Sequence, residues 1–194
     1  MNEEELIFTK LQLELSAMIQ ERNNVWDVER SRNWYSRGPT KLTHHLYLGD
    51  YGDADSLGQL EELGITHVLN CAGESLASHR RPLFMQFGKT SIVGYREYDA
   101  VDDETYDMSQ HFQDAIKFIS DASESDGKTL VYCRKGMNRS VAVCVAYLMW
   151  EQKTSLWDTV NYVAKLRGKI LTNTAFQAQL IRFAQEMFGL NSDK

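Results

Sequence analysis

Residues 129–150 read TLVYCRKGMNRSVAVCVAYLMW. The last ten are apolar on nearly every face, and a helix of that kind is stable in water only when neighbours cover it on all sides. A short apolar strand, TLVYC, runs straight into the polar loop that precedes it. The chain must therefore supply a sheet beside that strand and further helices around that helix. With 194 residues, 43% of them hydrophobic, it holds material for one well-buried domain and too little for two separate cores.

From His45 onward, strands and helices alternate. LYLG and ITHVLNC are β-rich runs separated by DADSLGQLEELG, a helix closed by Gly64. A third strand lies in IVGYREYDA, followed by the helix MSQHFQDAIKFISDA and then by TLVYC. Strands alternating with helices imply crossover connections, hence an α/β fold with a central, mostly parallel sheet flanked by helices. The C-terminal half beyond the strand is all helical: SLWDTVNYVAKLR opens on Ser155 with Asp158 three residues on, and TAFQAQLIRFAQEMFG closes the chain. Upstream, Leu6, Ile7, Leu11, Leu15, Met18 and Ile19 fall near helical spacing. They predict an amphipathic helix over residues 3–21 that docks on the domain or pairs with a second chain. Residues 22–43 read as a polar connector with a turn at Gly38-Pro39, pinned by Trp26, Trp34 and Tyr35. The expected organisation is an N-terminal helix and connector over 1–42 and a single domain over 43–190.

A net charge of −6 argues against nucleic acid as a partner, while leaving room for a local cationic pocket. The acidic start, MNEEELIFTK, lacks the features of a secretory signal, and no apolar run reaches membrane-spanning length. Three cysteines, Cys71, Cys133 and Cys144, form neither an even disulfide set nor a CxxC pair, which suits a reducing compartment. The expected location is cytoplasmic, with the nucleus also open, and no membrane is involved. The five histidines show no ligand spacing, so neither a metal nor another cofactor is expected.

Chemistry concentrates in the opening stretch. In an open α/β sheet, ligands bind at the carboxyl ends of the strands, which is where Cys133 stands. The loop after it leads into a helix N-terminus, whose unpaired amides and dipole favour an anion. Backbone N–H groups curling around Gly136 form a nest for phosphoryl oxygens, and Arg139 adds a planar fork that matches two of them. The same field lowers a cysteine pKa from about 8.5 into the range of roughly 3.5–7.5, making Cys133 a thiolate nucleophile at neutral pH. Cys71 and Cys144, flanked by apolar positions, read as core thiols. The leaving oxygen of a phosphate ester needs a proton donor, and YREYDAVDDETYDMSQHF offers Asp99, Asp102, Asp103 and Asp107 without choosing among them.

C-x5-R-S after a strand, with AYLM in the following helix, resembles the cysteine-dependent protein tyrosine phosphatases, and more narrowly the atypical dual-specificity phosphatases. LYLGD near position 46, LEELGITHVLNCA at 60–72, residues 167–173 and FQAQLIRF at 176–183 extend the resemblance over about 43–188. It implies attack by Cys133 on a phosphomonoester, a phosphocysteine intermediate and hydrolysis by water without a metal. Arg134, Lys135, Gly136, Met137, Asn138, Arg139 and Ser140 would bind the phosphate, with Arg139 as clamp. The hydroxyl of Ser140 would stabilise the departing thiolate. Laying Tyr95, Ala100, Ser109 and Phe112 on the family pattern selects Asp102 as general acid, with Asp103 as runner-up. The implied substrates are proteins carrying phosphotyrosine or phosphoserine/threonine, and the chain would act as a monomer or homodimer.

Two positions depart from the family. Tyr132 stands where histidine usually precedes the cysteine, so a less acidic thiol and slower turnover are expected. Asn138 stands where many members carry serine, and GMNRS is similar to the RNA 5′-phosphatase branch, where Arg134 and Lys135 would suit a polyanion. That branch usually manages without the loop aspartate. An RNA 5′-end or phosphoinositide phosphatase, and a low-activity phosphopeptide-binding pseudophosphatase, therefore remain as alternatives. Arg80, Arg81 and Arg167 either rim the pocket or are solvated charges.

Overall fold

The computed structural model describes residues 2–30, 38–73 and 91–189. Its five strands are β1 (Thr40–Lys41), β2 (Leu46–Gly49), β3 (His67–Asn70), β4 (Gly94–Glu97) and β5 (Thr129–Tyr132), in the order β1-β2-β5-β3-β4. β5 lies in the middle, parallel to β2 on one side and to β3 on the other; β4 extends the parallel set, and β1 is an antiparallel edge. This is the expected mostly parallel α/β architecture, with β1 as an unforeseen addition too short to show a period.

Side chains on successive strand residues point to opposite faces, and the two faces are covered differently. Leu46, Leu48, Leu69, Val131 and Cys133 join the larger core with α5 (Arg139–Gln152), which is buried at every residue from Arg139 to Met149. Around α5 lie α1 (Glu3–Arg30), α4 (Phe112–Glu124), α6 (Leu156–Arg167) and α7 (Thr174–Phe188). Tyr47, Val68, Leu130 and Tyr132 face the other way, against Leu60, Ile65 and Ala54 around α2 (Tyr51–Ala54) and α3 (Leu57–Leu63). A helix apolar all round and a strand buried at all four residues thus occupy the centre, as their composition requires.

Local chemistry sets the boundaries. Asp50 accepts from the Asp53 amide at 3.1 Å while the Asp53 carboxylate accepts from the Asp50 amide at 2.9 Å, a capping box that starts α2. The helix expected over 53–64 is instead α2 and α3 with a break at Asp55-Ser56, and Gly64 closes α3 at φ +69° as expected. Ser155 accepts from the Asp158 amide at 3.1 Å to open α6, and Asn173 accepts from the amides of Ala175 and Phe176 to open α7.

The largest correction concerns the N-terminus. α1 does not stop near residue 21 but runs to Arg30, and residues 22–30 are helix instead of connector. Leu15, Ile19 and Asn23 continue one buried stripe at intervals of four, but Asn23 is polar, and this hid the continuation from a hydrophobic pattern. The helix docks on α6 and α7, with Leu15 and Ile19 in the main core. Trp34 and Tyr35 lie outside the described residues, as do Arg80 and Arg81.

Candidate active site

β5 delivers Cys133 to the carboxyl end of the sheet's central strand, and residues 134–138 turn it into α5. Cys133 is 1% exposed, and its sulfur accepts a hydrogen bond from the Ser140 hydroxyl at 3.2 Å. Burial pushes the Cys133 thiol up, but the Arg139 guanidinium, the Ser140 hydroxyl and the backbone amides of Ser140 and Met137 together reverse it, leaving the thiol below its ordinary value. The other two cysteines show the contrast. Cys71 and Cys144 are buried, and burial drives both thiols upward, so they are the inert core groups their apolar flanks suggest.

Among the seven loop residues expected to bind phosphate, position separates backbone from side-chain roles. Arg134 and Lys135 are exposed, Gly136 is buried, Met137 and Asn138 are half-buried, and Arg139 and Ser140 are buried. Gly136 adopts φ +62°, and a Cβ there would come within 2.3 Å of Arg167 Nη2 and 2.6 Å of the Gly49 carbonyl oxygen. Only glycine fits that backbone and that approach.

Arg167 is neither a pocket rim nor a solvated charge. It is 8% exposed and supports the loop from beneath, donating from Nε to the Gly136 carbonyl at 3.2 Å and from Nη1 to Thr40 Oγ1 at 3.2 Å and the Leu48 carbonyl at 3.4 Å. Asp50 and Asp53 lie 3.8 and 3.9 Å from it, so the buried cation has both charge partners and carbonyls around it.

The loop between β4 and α4 carries the four candidate acids. Two are engaged within their own turns: Asp103 accepts from the Thr105 amide at 2.8 Å and hydroxyl at 2.6 Å, and Asp107 accepts from the Ser109 amide at 3.0 Å and hydroxyl at 2.5 Å. The two Thr105 bonds hold the Asp103 carboxyl below its ordinary value and within its own turn. Asp99 is exposed. Asp102, by contrast, is tied to the cysteine loop. Both its oxygens accept from Asn138 Nδ2 at 3.1 Å, and Oδ1 also accepts from Asn173 Nδ2 at 3.3 Å. A second tie runs from Arg139 Nη1 to the Ala100 carbonyl at 2.9 Å.

Asn138 does more than serine could at that position. Its Oδ1 accepts from the Thr172 amide at 2.7 Å and the Asn173 amide at 3.3 Å while its amide nitrogen reaches Asp102, so one side chain joins three loops. Asn173 and Thr172 had no individual signal in the sequence, because their contacts are with residues far away in the chain. Tyr132 is fully buried on the face opposite Cys133, beside Tyr95 and Glu97; burial first, then these neighbours, keep its hydroxyl protonated. The Tyr132 and Cys133 side chains belong to the cores on opposite faces of the sheet. Among the described residues, no group of three or more His, Cys, Asp or Glu side chains is placed to hold a metal ion.

Known proteins resemble this chain in sequence and fold. The family model described as dual specificity phosphatase, catalytic domain, matches residues 46–186. Human dual specificity protein phosphatase 2 is 33% identical over 150 residues, which is 77% of this chain and 45% of that protein. The chain thus spans less than half the length of that relative. Among solved structures, human tyrosine phosphatase-like serine/threonine/tyrosine-interacting protein superposes with TM-score 0.70 at 27% identity, covering 78% of this chain and 98% of that one. DUSP15 superposes with TM-score 0.68 at 27% identity, covering 79% and 92%. The family match begins at β2, ends within α7 and contains the cysteine loop and every residue tied to it from above, so this chain belongs to the dual specificity phosphatase catalytic-domain family.

Proposed function

We propose that the chain is a cysteine-dependent phosphomonoester hydrolase that removes phosphate from phosphotyrosine and phosphoserine/threonine of proteins, without a metal. The observation that carries this is a buried cysteine at the end of the central strand whose sulfur accepts from the Ser140 hydroxyl, with buried Arg139 at the start of the helix that follows; these groups and two amides favour the thiolate. Cys133 attacks phosphorus as the thiolate; the phosphoryl oxygens take the amides of residues 134–139 and the fork of Arg139. Asp102 gives its proton to the departing alkoxide or phenoxide. The phosphocysteine is then hydrolysed by a water from which Asp102 takes a proton, while the Ser140 hydroxyl stabilises the thiolate that leaves. The catalytic unit is residues 43–190, with 1–42 appended to it, and the chain acts as a monomer or homodimer. No helix among the described residues is long and apolar enough to cross a membrane, and three unpaired cysteines fit a reducing setting, so a cytoplasmic location, with the nucleus also open, goes with this proposal.

Hydrolysis of an aryl phosphate by the wild type, abolished in Cys133→Ser, is the expected result; equal background in both would leave a phosphopeptide-binding module. Phosphopeptides, a 5′-triphosphate RNA and a phosphoinositide compared side by side should rank with the phosphopeptides first. A clear preference for either polyanion would transfer the function to the alternative that Arg134, Lys135 and Asn138 motivate.

A further inference from the structure

The segment between α6 and α7 is wound through two left-handed residues, Gly168 at φ +101° and Leu171 at φ +49°. Glycine adopts such a conformation freely, but for a bulky residue it is strained and persists only when its surroundings over-determine it. At Leu171 the surroundings are visible. Its N–H donates to the Met137 carbonyl at 2.8 Å, and its carbonyl accepts from Gln177 Nε2 at 2.7 Å, whose Oε1 in turn accepts from Ser16 of α1 at 2.6 Å. One residue earlier, Asn23 of α1 is 6% exposed and pairs with both backbone groups of Ile170: Nδ2 donates to the carbonyl at 3.0 Å and Oδ1 accepts from the amide at 3.0 Å. Trp26 lies flat enough on Gly168 that a Cβ there would fall within 2.3 Å of its ring. α1 therefore grips this segment at both of its left-handed turns, and the segment's far side holds the catalytic loops.

We propose that α1, which precedes the family-matched region, is a positioning element for the active site, acting through Asn23 and Ser16 on residues 168–173 and through them on Met137, Asn138 and Asp102. Two routes lead inward. Leu171 fixes the carbonyl of Met137, and the backbone N–H of that same residue is among the groups that hold the Cys133 thiol below its ordinary value. Thr172 and Asn173 fix Asn138 and Asp102, the sulfur's loop and the proton donor together. Asn23 is a positioning residue in this scheme, 147 residues away in sequence from the backbone it pairs with. The inference rests on the roles proposed above for Cys133 and Asp102.

The test uses the full chain with Asn23→Leu, the milder Ser16→Ala, and Val25→Ser on the exposed side of α1 as a control. Three quantities are measured: amide hydrogen exchange at Ile170 and Thr172, the pH midpoint of Cys133 alkylation by iodoacetamide, and kcat and KM on aryl phosphates with good and poor leaving groups. Leaving the Ile170 peptide unpaired in Asn23→Leu should speed exchange there by about tenfold or more. The alkylation midpoint should move upward, and kcat on poor leaving groups should fall about tenfold with KM nearly unchanged. Ser16→Ala should move all three in the same direction by a smaller factor, and it carries the test if Asn23→Leu does not fold. Val25→Ser should match the wild type. Faster exchange with an unmoved midpoint and unmoved kcat would overturn the proposal and leave α1 as packing alone. A wild type inactive on every phosphomonoester would instead refute the hydrolase assignment, and the exchange and alkylation measurements would still decide the role of α1.

Discussion

Cys133 and Asp102 depend on their neighbours in different ways. The groups that act on the sulfur, Ser140 and Arg139, lie in the first turn of the helix that follows its loop, so the proposed nucleophile and clamp could be picked out from the spacing together with the strand before it and the apolar helix behind. Asp102 owes its place to Asn138 and Asn173, 36 and 71 residues away, and composition could not distinguish it from its three rivals. Only the resemblance could. Replacing Asp102 by Asn should cost most on substrates with poor leaving groups and flatten one limb of the pH–rate profile, whereas Asp103→Asn, which breaks only a turn with Thr105, should leave the profile intact. Ser140→Ala should raise the pH at which Cys133 alkylates half-maximally and should let phosphoenzyme accumulate in a rapid quench, because the thiolate loses a donor both as nucleophile and as leaving group. The less acidic thiol expected here comes from the absence of the usual histidine before Cys133, and not from the hydroxyl of Tyr132. That hydroxyl lies across the sheet from the sulfur, so Tyr132→Phe should leave the alkylation midpoint unmoved.

At the scale of elements, β2, β3, β5 and the central helix followed from apolar patterning, because each is decided by burial that its own sequence announces. The extension of α1 did not, since the residue that continues its buried stripe is an asparagine whose partner is a peptide group of another loop. The support under the cysteine loop was equally hidden: an arginine at the end of α6 looks like a surface charge until β1, β2 and α2 are assembled around it. Gly136→Ala would place a Cβ against both Arg167 and Gly49 at a left-handed backbone. It should destabilise the fold by about 1–3 kcal/mol in urea titration and abolish hydrolysis, as the loop turns away from its amide nest.

The whole molecule is one cooperative unit in this account, because Leu15 and Ile19 of α1 complete the same core that holds Cys133. Leu15→Ala should lower global stability by about 2–5 kcal/mol within a single unfolding transition; two transitions would mean that α1 is a separate unit. A pH dependence is built in at Asp53, whose carboxyl is pushed up to about 6, first by burial and further by Asp50, against the amide of Asp50 and the Arg167 cation. A carboxyl harder to ionise in the folded state stabilises the fold while protonated, and that contribution is lost as pH rises from about 4 through about 6. Relative to Asp53→Asn, the wild type should therefore lose up to about 3 kcal/mol over that window, at about 1.4 kcal/mol per pKa unit. The claim on which everything else rests is the charge on one sulfur. The rate of alkylation of Cys133 against pH, referenced to Cys133→Ser, measures it directly. A midpoint clearly below that of an ordinary cysteine, rising in Ser140→Ala, is the predicted result, and a midpoint at or above the ordinary value would contradict the account.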